Sequence, residues 1–234
     1  MPQFTMSIAS VAVEVTALFP ATQELCKDYL SNDPAAFSVS LRQEDIEQEY
    51  EILMQRCRPE DAEILALLRK VADRMLNYDT VLFHSVAVAV NGKAYLFTAP
   101  SGTGKSTHAR LWQGQIPGAY ILNGDKPFLR VKGSLITACG SPWRGKEMYG
   151  INECLPLEAI CIVERDTVNH IEPISCETAL GTLIRQAYRP EDPALLMKSI
   201  QLIGRVGQSV RLYQLGCNMD PEAAIVSSTA MILK

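Results

Sequence analysis

Apolar and polar positions change period several times along the chain, and the changes mark out its elements. Ser7-Ile8-Ala9-Ser10-Val11-Ala12-Val13-Glu14-Val15 alternates, which predicts a strand. A short helix is expected over residues 22–30, a turn at Asn32-Asp33-Pro34, and a second short strand at Phe37-Ser38-Val39-Ser40-Leu41. Good helix formers from 44 to 57 predict a helix. Pro59 interrupts, and Asp61 caps a second helix to about residue 76, with Ile64, Leu67, Leu68, Val71 and Met75 at helical spacing. Residues 81–90 then read as one apolar strand. Asn91-Gly92 suits a two-residue hairpin turn, in which both central residues need positive φ, and residues 93–99 return as its partner.

Further on, a helix is expected over residues 105–113 and a short buried strand over 119–122. Residues 128–131 and 135–139 flank Lys132-Gly133-Ser134 as a hairpin. A buried strand, Ala159-Ile160-Cys161-Ile162-Val163, lies within 157–164. Helices are predicted over 177–188 and 193–206, a last strand over 210–215, and a closing helix that Asp220 caps and Pro221 begins. No repeat or low-complexity tract interrupts this order.

Composition narrows the class without naming a function. With 47% hydrophobic and 21% charged residues, the 234-residue chain matches an ordinary globular protein. A net charge of -4 gives no footprint for nucleic acid. Apolar stretches such as 86–90 are strand-sized, too short to span a bilayer. The first residues lack a basic segment and carry Glu14, so no signal peptide or membrane partner is expected. Seven cysteines, an odd number with no C-x-x-C pair, argue against a disulfide framework or zinc site. Reduced, mostly buried thiols and a cytoplasmic location are the expectation.

The chemistry enters at residues 99–106, A-P-S-G-T-G-K-S. The pattern is that of a phosphate-binding P-loop (Walker A), G-x-x-x-x-G-K-[ST], with Ala99 at the first glycine. Gly102 and Gly104 allow unusual backbone angles that turn N–H groups inward. Lys105 supplies a point charge for the β- and γ-phosphates, and the Ser106 hydroxyl suits Mg²⁺. The following helix adds its N-terminal dipole. Ser101, Gly102, Thr103, Gly104, Lys105, Ser106 and Thr107 are therefore the expected nucleotide contacts. Ser106 and Asp125 are the expected metal contacts, and ATP and Mg²⁺ the expected cofactors.

Taken alone the loop resembles guanylate kinases, gluconate-type kinases and ABC ATPases. Its start near residue 99 and the absence of L-S-G-G-Q set those aside. Over roughly residues 80–215 the chain instead resembles HPr kinase/phosphorylase and its relatives. That family includes HPr-kinase-like enzymes that modify peptides, and it shares a P-loop core with ATP-type phosphoenolpyruvate carboxykinases. The resemblance rests on His84 before the loop, the hairpin at Asn91-Gly92, and the strand ending Leu122-Asn123-Gly124-Asp125. It also rests on the loop of residues 140–146 with Arg144 and Lys146, and on the strand ending Glu164-Arg165. It implies an α/β fold with a mixed sheet flanked by helices over residues 79–234, preceded by a small α+β region over 1–78. It implies an ATP-dependent kinase acting on a hydroxyl of a small protein, peptide or small molecule, and it allows a homo-oligomer.

Each candidate has an ordinary alternative. Asp125 would accept the hydroxyl proton or hold Mg²⁺, or it is a turn aspartate in Asn-Gly-Asp. His84 would polarise Asp125 or help orient the acceptor, or it is a core histidine. Arg144 and Lys146 would steady the transferring group or grip an anionic acceptor, or they form a solvated basic loop. Glu164 is the rival second carboxylate, or it pairs with Arg165. His108 reads as structural or as lying near the nucleotide's edge, His170 as a turn residue, and Arg185 and Arg189 as surface or pairing residues. The family places an adjacent pair of acids where this chain has only Asp125 between Gly124 and Lys126. Either another group takes the second role or the chain is a nucleotide-binding sensor without strong catalysis. A carboxykinase-like enzyme would need a site rich in His, Lys and Arg, and three histidines fit that poorly.

Overall fold

The computed structural model describes residues 1–54 and 56–232. In it the first alternation folds into two strands rather than one. β1 (Gln3–Ile8) and β2 (Val11–Thr16) pair antiparallel, with Ile8 opposite Val11. Ala9 and Ser10 between them both take positive φ, 52° and 59°. A two-residue hairpin needs that conformation, but neither residue is a favoured turn former, so the alternation runs through the reversal without marking it.

The expected helix at 22–30 is divided into α1 (Pro20–Leu25) and a 3-10 turn, Lys27–Tyr29. β3 (Phe37–Ser40) joins β2 in parallel. α2 (Gln43–Ile52) and α3 (Pro59–Met75) follow. Pro59 opens α3 rather than merely interrupting, since the first helical N–H has no partner to lose. Glu63 of α3 is buried and accepts from the Leu18 and Phe19 N–H groups and from the Thr22 hydroxyl. It satisfies the free donors at the start of α1, where Phe19 has no capping side chain.

The predicted strand over 81–90 breaks at His84-Ser85 into β4 (Thr80–Leu82) and β5 (Val86–Val90). β6 (Lys93–Thr98) returns from Asn91 and Gly92, whose φ values are 53° and 71°. Then come α4 (Lys105–Gln115), β7 (Tyr120–Asn123), β8 (Phe128–Lys132), β9 (Leu135–Cys139) and β10 (Cys154–Arg165). β11 (His170–Pro173), α5 (Cys176–Gln186), α6 (Pro193–Ser209), β12 (Arg211–Cys217) and α7 (Glu222–Met231) complete the order. His170, expected in a turn, opens β11, which lies against β12.

A mixed nine-stranded sheet results, and β10 is its spine. Its first residues pair antiparallel with β9, and its later ones run parallel to β6 on one side and β12 on the other. β4 pairs with β8 while β5 pairs with β6 and β7. The break at His84 is where the chain passes between these two groups of strands. Alternate side chains reach opposite faces. Leu96 and Ile160 pack with Leu183 of α5 and Ile203 of α6. Phe97 and Cys161 pack with Trp112 of α4 and Ala224 of α7. A further core joins β1–β3 and α3 to Phe128 and Trp143.

Cys139 and Cys154 face each other across the β9–β10 ladder and are bonded as a disulfide, against the expectation of reduced thiols throughout. Strand register brings them together across 15 residues of sequence, a spacing that no short motif announces. Among the described residues no helix is long and apolar enough to cross a membrane.

His108 of α4 is buried against α7. Its Nε2 lies 3.0 Å from the Ser227 hydroxyl, which also receives the Trp112 indole N–H at 2.7 Å. Burial depresses its pKa to about 4 from 6.5. The folded chain thus keeps this ring neutral where the unfolded chain protonates it. The stability so gained is complete above pH 6.5 and is lost as pH falls through 4, a change of about 3 kcal/mol. Denaturant unfolding between pH 4 and 7 is expected to show that decline, and a His108→Gln variant to flatten it.

Candidate functional site

Three strand ends converge because three strands share a direction. β6 and β10 are parallel, and β7 is antiparallel to β5, which is antiparallel to β6. β6 therefore releases residues 99–104, β7 releases Asp125, and β10 releases Arg165 at one sheet edge, where open α/β sheets bind ligands. The 99–104 segment turns into α4 through Gly104, whose φ of 125° would strain any residue with a β-carbon. Lys105 is buried, and its ammonium donates to the carbonyls of Ala99 at 2.8 Å and Pro100 at 3.2 Å. Burial lowers its pKa, and the Asp125 charge pulls it part of the way back. The Thr103 hydroxyl donates to Pro100.

Arg165 holds the same loop from the other side. Its guanidinium donates to the carbonyls of Gly102 at 2.5 Å and Thr103 at 3.2 Å. The alternative that paired Arg165 with Glu164 is corrected here, because the arginine reaches the loop backbone instead. Glu164 is exposed at the end of β10 and does not line the cleft that holds Asp125.

Asp125 is set in place by Asn123. The buried Asn123 amide oxygen accepts from the N–H groups of Asp125 at 3.0 Å and Lys126 at 2.8 Å. Its nitrogen donates to Ser141, and the Ser141 hydroxyl donates to the Lys126 carbonyl at 2.6 Å. Gly124 lets this turn meet the 140–150 loop. A β-carbon there would come 2.6 Å from the Arg144 carbonyl. Asn-Gly-Asp is thus a turn, as its composition suggests, and the turn presents a carboxylate.

His84 Nε2 lies 3.3 Å from Asp125 Oδ1, and the Lys126 ammonium lies 3.4 Å from Oδ2. Burial opposes ionisation of Asp125. The His84 hydrogen bond and the Lys126 charge outweigh it, and the carboxyl titrates below its ordinary value. Behind His84, Nδ1 lies 2.9 Å from the Gln186 amide oxygen. Gln186 also receives the His84 N–H on its backbone carbonyl at 2.8 Å. Sequence reading missed Gln186, which lies 102 residues away.

A cleft of about 500 Å³ brings most of the predicted residues together. Ser101, Gly102, Gly104, Lys105, Ser106 and Thr107 line one side. His84, Asp125, Arg144 and Lys146 line the other. Ser106 and Asp125 offer oxygen donors to one space, which fits Mg²⁺, an ion that uses one or two protein oxygens and completes its shell with phosphate and water. Among the described residues no cluster of three His, Cys, Asp or Glu side chains surrounds them. Lys146 is exposed. Arg144 is mostly enclosed, with Nη2 2.6 Å from Asp28 and its guanidinium over the Tyr29 ring at 5.5 Å. Thr103 faces a second cavity, of about 440 Å³, on the far side of the loop, lined also by His108, Arg165, Asn218 and Met219.

No family model matches the chain, and the curated proteins include no match. Among solved structures, the HPr(Ser) kinase/phosphatase from Coxiella burnetii superposes with a TM-score of 0.39 at 9% identity. The match covers 63% of this chain and 86% of that one.

The contacts to Asp125 have a direct spectroscopic test. Replacing His84 by Phe or Lys126 by Met removes one of the two groups that offset burial, so each variant is expected to raise the Asp125 pKa. The ¹³C shift of the Asp125 carboxyl, followed against pH, reads that displacement.

Proposed function

We propose that this chain is an ATP- and Mg²⁺-dependent phosphotransferase that passes the γ-phosphoryl group to a hydroxyl acceptor. The observation that carries the reading is the meeting of Lys105, Ser106 and an ionised Asp125 in one cleft. Phosphoryl transfer asks mainly for positioning and neutralisation of charge. In this reading the loop N–H groups and Lys105 bind the β- and γ-phosphates. Ser106 would hold Mg²⁺, which supplies further charge neutralisation, and Asp125 is left free to act as the base.

Asp125 accepts the hydroxyl proton. A carboxylate with a lowered pKa is a weak base, which suits a loose transition state with little bond formation to the nucleophile. His84, oriented by Gln186, keeps that carboxylate turned into the cleft. The second cavity, across the loop from the cleft, takes the adenine. Its walls include Val163 and Met219 for the ring faces.

A second reading, nucleotide sensing without transfer, has one observation in its favour: Glu164 stays out of the cleft, and Glu147, which lines it with Asp125, is already paired with Arg110. Two variants separate the readings. Lys105→Ala is expected to weaken ATP–Mg²⁺ binding at least about tenfold, as loss of a charged contact does. Asp125→Asn is expected to keep nucleotide binding and to lower transfer by about 10²-fold or more. Full transfer by Asp125→Asn defeats the base assignment. Tight ATP binding by the parent protein with no turnover on any hydroxyl acceptor selects the sensor.

A further inference from the structure

A separate groove of about 330 Å³ lies behind His84, and its charge is one-sided. His84 belongs to both cavities, so the imidazole is the wall between them. Lys126, Arg185, Arg189 and Arg69 line the groove, and no carboxylate does. This concentration of cations occurs in a chain whose net charge is -4. Arg69 is already paired with Glu49. Arg185 donates only to a neutral group, the Thr182 hydroxyl at 2.8 Å. Among the described residues neither Arg185 nor Arg189 forms an ion pair. The nearby acids Asp45, Glu49, Glu51, Asp73, Glu191 and Asp192 line an adjoining cavity, with Arg69 and Arg189 at the boundary. Leu82 and Tyr188 give the groove apolar walls.

The groove also ends beside the reacting group assigned above. Lys126 lines it, and the Lys126 ammonium lies 3.4 Å from the Asp125 carboxylate. Gln186 lines it too and holds the far nitrogen of His84. Arg185 and Arg189 are exposed at this half-open groove, and unpaired guanidinium groups recognise carboxylate or phosphate through paired N–H donors. The volume is that of a small-molecule site.

We propose that this groove binds the acceptor, and that the acceptor is a small hydroxylated anion. Its carboxylate or phosphate sits against Arg185 and Arg189, and its hydroxyl extends past His84 toward Asp125. This rests on the phosphotransferase reading for the fate of the hydroxyl, while the anion site itself stands on the groove alone. The charge arrangement favours a compact anion over a neutral sugar.

Calorimetric titration of the full chain with D-glycerate, glycerol 3-phosphate and glycerol tests it. At least one anion is expected to bind, glycerol is not, and an Arg185→Gln/Arg189→Gln double variant is expected to weaken anion binding tenfold or more. The two anions separate carboxylate from phosphate recognition. Glycerol binding as tightly as the anions, anion binding unchanged in the variant, or no anion binding to the parent protein each overturns the proposal. ATP–Mg²⁺ is titrated into the same two proteins, and both are expected to bind it equally. Failure of the parent protein to bind ATP defeats the phosphotransferase reading and leaves the groove result to be judged on its own.

Discussion

Asn123 carries a primary amide into the interior at the end of β7 and satisfies both ends of it there. The oxygen takes two backbone N–H groups from the turn it begins, and the nitrogen gives to Ser141 across the chain. A buried polar group left unpaired costs about 1–3 kcal/mol, so the amide fixes two segments at once. It shapes the turn that bears Asp125, and it fastens that turn to the loop bearing Arg144 and Lys146. The backbone approach at Gly124 makes the fastening close. Asp125 therefore owes its place to packing beneath it rather than to the groups it faces.

Charge then decides what such a placement can do. One carboxylate stands among Lys105, Lys126 and His84, in a cleft partly withdrawn from water. Electrostatic interactions strengthen as the surroundings become less polar. A polyanionic ligand would meet cations already fixed by other bonds: Lys105 on loop carbonyls and Arg144 on Asp28. Arg165 does not face the cleft but stiffens the loop by gripping its carbonyls. Residues 28 and 29 contribute to the cleft wall at one remove, since they hold Arg144 from behind.

Much of this was legible where the signal is local. Asn91-Gly92 announced its hairpin because few other pairs accept those dihedrals, and the glycines of the 99–106 loop announced a strand-to-helix turn for the same reason. Asp125 could be singled out because it follows a buried strand just after that loop. The Ala9-Ser10 turn was invisible because neither residue prefers the conformation it takes. The break at His84 was hidden inside an apolar run, since both halves are equally buried in different parts of the sheet. Gln186 behind His84, Asp28 on Arg144 and Arg165 on the loop are contacts across long stretches of chain. No spacing rule connects them, and only the folded topology brings them together.

Cys139 and Cys154 close the 140–153 segment into a ring at the point where β9 and β10 pair. Cross-linking a loop of about 15 residues removes about 3 kcal/mol of unfolded-chain freedom in the chain-entropy account. That constraint falls on the segment carrying Ser141, Arg144 and Lys146. With the thiols reduced, the same segment is held by hydrogen bonds and the anchoring of Trp143 on the Ile64 carbonyl. The oxidation state of one cysteine pair thus sets how tightly this wall of the cleft is tethered, so thermal stability measured with and without a reductant describes two differently constrained forms of the same chain.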